Sequence, residues 1–207
     1  MIDTGFLITG FVTLFVIMDP IGLTPMFIAL TQGMSPAKRR AIALRSCLIA
    51  GLLLSLFALL GETALEFVGI SMPAFRIAGG MLLFLTSLDM LFQRRQKRRE
   101  DQAEEEDLGD DPSVFPMAMP LIAGPGSIAT VILLAGQQTD LVGYTMVFAI
   151  MFAVLLIAVV LFLAGGILER ILGNTGINVV TRLLGMLLAA LSVQFVLDGL
   201  KAFGFAS

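Results

Sequence analysis

An acidic residue lies deep inside the first apolar run of the chain, where a charge is energetically costly. Asp19 is followed by Pro20 and Pro25 in the segment MDPIGLTPMF, residues 18–27. Each proline removes a backbone N–H and clashes with the preceding helical turn. We therefore predict a broken helix here, in which freed carbonyl groups and Asp19 bind an ammonium group or a small cation. The alternative is an Asp19 that only caps backbone donors at the break.

A second segment, MPLIAGPGSI at residues 119–128, has two prolines at the same spacing and adds two glycines that expose the backbone. In the first segment, Thr24 followed by Pro25 predicts an N-cap and the first residue of a new half-helix. A half-helix N-terminus offers free N–H groups and a partial positive charge, which suit a carboxylate. Continuous helical hydrogen bonding should therefore be lost near residues 19–24 and 120–126. Because unwound backbone at membrane depth must be buried or line a wet cavity, the two breaks predict one central site for a small zwitterion.

The candidate substrate-binding residues are polar, proline and glycine positions of these two segments. They are Asp19, Pro20, Gly22, Thr24, Pro25, Pro120, Gly124, Pro125, Gly126 and Ser127. No catalytic residue, metal ligand or cofactor is predicted, because the chain has no histidine and Ser127 has no base beside it in the sequence. The stretch 124–127 also lacks the lysine of a phosphate loop. We do not expect an enzyme.

The composition indicates that these segments lie in a bilayer. The 207 residues are 57% hydrophobic and 14% charged, with a mean hydropathy of +0.96. A helix needs about 20 apolar residues to cross the hydrocarbon, and the chain has six runs of roughly that size. They lie at residues 6–30, 41–60, 73–92, 113–136, 143–165 and 178–198. We predict an all-α integral membrane protein with six membrane segments, of which the first and fourth are discontinuous.

The two halves of the chain resemble each other. A shift of 100 residues superposes the proline pair at 20 and 25 on the pair at 120 and 125. A shift of 105 residues superposes GMLL at 80–83 on GMLL at 185–188, and Ser87 on Ser192. Since three spans are an odd number, tandem copies enter the membrane from opposite sides and form an inverted repeat, as in many secondary transporters. The predicted domains are a first three-segment repeat at 1–92, a charged cytoplasmic loop at 93–112 and a second three-segment repeat at 113–207.

Positive charges set the predicted orientation, because Lys and Arg stay on the cytoplasmic side. They cluster in the loops at 31–40, 93–112 and 166–177, so both termini are predicted to be extracytoplasmic. Arg76 and Arg182 lie in segments three and six at opposite membrane faces. We expect both to anchor the interfaces, with a gating or carboxylate-binding role as the alternative.

Two motifs resemble the MarC family. They are D-P-x-G-x-x-P-x-F from Asp19 to Phe27 and P-L-x-x-G-P-G-x-I from Pro120 to Ile128. This family is also described as the SnatA-type neutral amino acid transporter family and is similar to LysE-type exporters. The resemblance covers essentially the whole chain. It implies a multi-pass protein of the bacterial inner membrane with small neutral amino acids as substrates.

The expected function is a secondary transporter of small neutral amino acids of the alanine, glycine and serine class, working by alternating access and coupled to H⁺ or Na⁺. The expected partners are a small zwitterionic substrate, such a coupling ion and the lipid bilayer, with a homodimer as the candidate assembly and no nucleic acid. The alternative is a non-transporting membrane scaffold or assembly factor. A broken helix pair favours transport, because a scaffold does not require it.

Overall fold

The chain folds into helices joined by short connections. A computed structural model describes residues 4–94 and 111–205, and every regular element within these ranges is a helix. The helices are α1 (Thr4–Met18), α2 (Pro20–Leu30), α3 (Pro36–Val68), α4 (Met72–Leu91), α5 (Ser113–Ile122), α6 (Pro125–Ala135), α7 (Leu141–Leu163) and α8 (Gly165–Ala202). The loop predicted for residues 93–112 lies largely outside the described ranges.

Half of these helices are long and apolar enough to cross a membrane alone, and α1 and α2 qualify only together. Five spans qualify singly, namely Thr4–Leu30, Pro36–Val68, Met72–Leu91, Leu141–Leu163 and Thr175–Ala202. Helices α5 and α6 form a pair bent by 59°, which makes a sixth span when the pair is counted as one. The predicted all-α membrane fold is thereby confirmed.

The outer surface of α3 shows which solvent the fold is built for. Leu44, Leu48, Leu52, Leu56 and Leu59 are each more than half exposed, and their spacing places them on one helix face. A soluble protein rarely exposes so continuous an apolar patch. Lipid chains are the solvent that this face requires.

Helices of the two halves pack against one another rather than forming separate bundles. Helices α1 and α2 of the first half pack on α7 of the second, and α5 and α6 of the second half pack on α3 of the first. One such contact is the stack of Phe27 on Phe162, whose ring centroids are 4.8 Å apart. The break regions of both halves are thus held within a shared core.

Helices α4 and α8 form a close antiparallel pair through small residues. A Cβ built on Gly80 would lie 2.8 Å from the carbonyl oxygen of Ser192, and one built on Gly185 would lie 3.3 Å from the carbonyl oxygen of Ser87. The shift of 105 residues superposes these two glycines and these two serines. The contact is therefore reciprocal, as a two-fold relation between the halves requires, although the inverted repeat itself stays a prediction.

Adding a methyl group at either glycine should loosen this pair. We expect Gly80→Ala and Gly185→Ala each to lower the free energy of unfolding by ~1–3 kcal/mol, because packed backbone must separate. Gly166→Ala is the matched control, since a Cβ there meets no atom within 4 Å. Thermal unfolding in detergent measures all three. Two variants as stable as Gly166→Ala would contradict the close packing.

Two helices extend beyond the apolar segment or into the loop predicted from hydropathy. Helix α3 runs from Pro36 to Val68, beyond the predicted 41–60, and the predicted loop at 166–177 is largely the first part of α8. Within α8 only Gly173 departs from helical angles, with φ 58°. Hydropathy locates the part of a helix that lies in lipid, whereas polar residues can continue the same helix into water.

The start of α5 is tied to α3 by a polar contact. Arg45 forms an ion pair with Asp111, whose other carboxylate oxygen accepts a hydrogen bond of 3.0 Å from the Ser113 N–H. Hydrogen bonding by Ser113, together with the charge of Arg45, lowers the pKa of Asp111. These contacts fix the entry of the chain into the bent pair.

Candidate functional site

The first break is confined to a single residue. Asp19 has left-handed backbone angles, with φ 52° and ψ 61°, and its Oδ1 accepts a 3.1 Å hydrogen bond from the Gly22 N–H. Its own N–H donates to the Phe15 carbonyl at 2.9 Å, and its carbonyl accepts from the Leu23 N–H at 3.0 Å. Helix α2 therefore starts immediately, at Pro20. The predicted interruption of continuous helical hydrogen bonding near 19–24 is limited to the Asp19 turn, where the Gly22 N–H donates to a side chain.

The predicted start of the second half-helix was also wrong. Thr24 is not an N-cap and Pro25 is not a first helical residue, because both lie inside α2. The Thr24 hydroxyl donates to the Pro20 carbonyl at 2.8 Å. Aspartate is a stronger N-cap than threonine and Pro20 already occupies the favoured first position, so the helix starts five residues earlier.

The second break is wider and follows the prediction. Helix α5 has hydrogen bonds between residues five apart, such as Ala123 N–H to Ala118 at 2.8 Å, and its angles are non-helical at Met119. Gly124 then adopts an extended conformation, and α6 begins at Pro125 without a side-chain cap. The backbone N–H groups in the first turn of α6 therefore keep their partial positive charge.

The two breaks lie close together in the core. A Cβ on Gly126 would lie 2.8 Å from Cδ1 of Ile17, so the start of α6 packs against the end of α1 only two residues before Asp19. Asp19 is 1% exposed and Ser127 is 3% exposed. A buried carboxylate and a partly exposed, uncapped helix N-terminus therefore lie on adjoining segments of the core.

All ten predicted site residues lie in the described part of the chain, and they differ in exposure. Asp19, Pro20, Thr24 and Ser127 are buried. Partly exposed are Gly22, Pro25, Pro120, Gly124 and Gly126, while Pro125 is exposed. The three polar side chains of the set, those of Asp19, Thr24 and Ser127, are therefore all buried.

A separate cavity of about 230 Å³ lies where α1 and α4 begin and where α6 and α8 end. Its lining consists of Gly5, Phe6, Thr9, Gly10, Arg76, Leu134, Gln137, Leu191, Gln194, Phe195 and Asp198. The sequence marked Arg76 as a charge in an apolar segment, but it gave no sign that Asp198 shares a cavity with it.

Comparison with known proteins decides the family. A family model described as MarC family integral membrane protein matches residues 4–203. The chain belongs to the MarC family. The resemblance seen in the two proline motifs is thereby confirmed, and the protein is an integral membrane protein.

Similar proteins occur in both bacteria and archaea. The chain is 39% identical over 196 residues to a UPF0056 membrane protein of Aquifex aeolicus, which covers 94% of this chain and 92% of that protein. It is 38% identical over 199 residues to a UPF0056 membrane protein of Archaeoglobus fulgidus, covering 95% and 92%. It is 34% identical over 199 residues to the UPF0056 inner membrane protein YhgN of Escherichia coli K12, covering 94% and 96%. No solved structure matches the chain.

Proposed function

We propose that this MarC-family protein is a secondary carrier of small neutral amino acids, of the alanine, glycine and serine class. It works by alternating access of its two halves in the bacterial inner membrane and couples transport to a gradient of H⁺ or Na⁺. The observation that carries the proposal is the meeting of two broken membrane segments, one from each half, in a common core.

The chemistry of the two breaks complements a zwitterion. Asp19 supplies a carboxylate for the substrate ammonium group, and the N-terminus of α6 supplies N–H groups and positive charge for its carboxylate. The hydroxyl groups of Thr24 and Ser127, which belong to the same two segments, are buried as well.

The packing between the halves suits alternating access. Asp19 is enclosed, which supports an occluded conformation. The two halves contact each other through the antiparallel α4–α8 pair. In addition, the first segment of each half packs on a helix of the other half. Rocking of one half against the other would open the central site to one side at a time. A channel would instead need a continuous aqueous path past Asp19.

Transport by the purified protein tests the proposal. Proteoliposomes are supplied with labelled alanine, glycine or serine under an imposed H⁺ or Na⁺ gradient, with protein-free liposomes as the control. We expect gradient-dependent accumulation of at least one of these amino acids. Absence of any flux with either gradient would favour the scaffold alternative.

A further inference from the structure

The cavity at the start of α1 and α4 contains opposite charges that do not neutralise each other. Arg76 and Asp198 both line it, yet they form no ion pair with each other. Both lie on membrane helices, where an unsatisfied charge is expensive and oppositely charged neighbours usually pair. Their separation within one cavity leaves room for a ligand that carries both complementary charges.

Arg76, which lines this cavity, has a buried donor that forms no hydrogen bond within the described part of the chain. Its Nε is buried and has no hydrogen-bond partner within residues 4–94 and 111–205. A buried donor without a partner costs about 1–3 kcal/mol, more when it is charged. A guanidinium group binds a carboxylate through two parallel N–H donors, one of which can be Nε. A carboxylate that enters the cavity meets Arg76 and would bind its guanidinium group.

Asp198 is held in place by its own helix. Nε2 of Gln194 donates to Oδ1 of Asp198 at 2.8 Å, one helical turn away. A second amide of the cavity lining, that of Gln137, donates to the Leu133 carbonyl at 3.0 Å. The acidic side of the cavity is therefore oriented by hydrogen bonds and keeps its charge available to a cation.

We propose that this cavity is a second binding site, which takes a small zwitterionic amino acid with its carboxylate on Arg76 and its ammonium group on Asp198. A volume of about 230 Å³ is smaller than the roughly 300 Å³ at which pockets for drug-sized ligands begin, so the ligand is small. The identity of the ligand rests on the proposed function. By the predicted orientation, the site faces the extracytoplasmic side and receives or releases substrate there.

Protection of a cysteine in the cavity wall tests this site without measuring transport. Thr9 lines the cavity and is exposed. The rate at which a maleimide labels Thr9→Cys, in a Cys47→Ala background, therefore reports whether a ligand fills the cavity. The purified full-length protein in lipid nanodiscs is labelled with a maleimide in the presence of L-alanine. At ten times Kd, labelling should slow about 10-fold. The matched control is Thr139→Cys, which is exposed outside the cavity and should label at an unchanged rate.

Two alanine analogues test which charge each residue binds. Alaninamide lacks the carboxylate and propionate lacks the ammonium group, so each should need roughly 10- to 100-fold higher concentration for equal protection. Arg76→Gln should remove the preference for alanine over alaninamide, and Asp198→Asn the preference over propionate. Arg182→Gln changes an exposed arginine of α8 outside the cavity and should keep both preferences. If Arg76→Gln does not fold, the analogue comparison with Arg76 present still decides.

Several outcomes would overturn the site. An unchanged labelling rate of Thr9→Cys at the highest usable alanine concentration would do so. The site would also be overturned if alanine still protected Thr9→Cys in Arg76→Gln but no longer did so in Asp19→Asn. The protection would then arise from binding at the central site. Flux in proteoliposomes without protection contradicts only this cavity, whereas protection without flux supports the cavity and contradicts the carrier.

Discussion

Asp19→Asn is expected to lower the exchange of labelled alanine in proteoliposomes by about 100-fold and to leave thermal stability unchanged. The factor corresponds to ~2.7 kcal/mol, within the range for hydrogen bonds to charged groups. Asparagine tolerates the left-handed backbone that Asp19 adopts and caps a helix as well as aspartate does. The substitution therefore removes a charge and little else.

A second variant changes the position of the carboxylate and keeps its charge. A Cβ on Gly22 would overlap the Asp19 carboxylate, which must then move away from the N–H that it caps. Gly22→Ala should therefore also reduce exchange, by roughly 10-fold or more. Asp140 is a matched control, since its Oδ1 accepts from the N–H of the residue three positions later, Gly143, at 2.9 Å and caps α7. Asp140→Asn should exchange alanine normally. Normal exchange by Asp19→Asn would show that Asp19 is only a cap.

Gly124→Ala is expected to reduce exchange by roughly 10- to 100-fold and to destabilise the protein by ~1–3 kcal/mol. A Cβ at this position would lie 2.6 Å from the carbonyl oxygen of Pro120. Because that atom belongs to the backbone, the break between α5 and α6 has to change shape. The N–H groups at the start of α6 would then change direction relative to the proposed substrate site, to which Asp19 contributes the carboxylate.

The other end of α6 provides the control for Gly124. A Cβ on Gly136 would meet chiefly the flexible tip of the Met72 side chain, which can move aside at little cost. Gly136→Ala should therefore exchange alanine at close to the normal rate. Flux and thermal unfolding are measured on both variants. Equal flux for the two would contradict a role for the second break in binding.

Proline and glycine patterns predicted the positions of the breaks but not their detailed form. The proline pairs have equal spacing, yet α2 starts at the first proline of its pair and α6 starts at the second of its own. The difference depends on Asp19, which caps α2 by side chain and backbone together, whereas the second half has no acidic residue at the corresponding position, Met119. Equal proline spacing therefore did not imply equal helix starts.

The irregular hydrogen bonding of α5 could not be foreseen from residue types. Phe115 and Met119 leave the helical region although neither is a helix breaker. Each precedes a proline, which disfavours helical angles, but a proline can equally produce a simple kink. Helix α5 packs against α3, and that packing is a property of the whole fold.

The cavity of Arg76 and Asp198 lay beyond prediction for a different reason. The two residues are far apart in sequence and meet because α4 and α8 pack antiparallel. The predicted repeat did not indicate the pair either. A shift of 105 residues relates Arg76 to Thr181 and Asp198 to Gln93, and neither of these carries a charge. Single charges near segment ends are usually interface anchors, which was the expectation for Arg76.

Counterflow tests the carrier proposal most directly, because it requires neither an imposed ion gradient nor a known direction of transport. Proteoliposomes loaded with unlabelled alanine are diluted into a trace of labelled alanine. A carrier that alternates between two faces should concentrate the label transiently above its external level, and Asp19→Asn should not. Label that only equilibrates would indicate a channel, and label that never enters, with alanine, glycine and serine alike, would contradict transport of these amino acids by this protein.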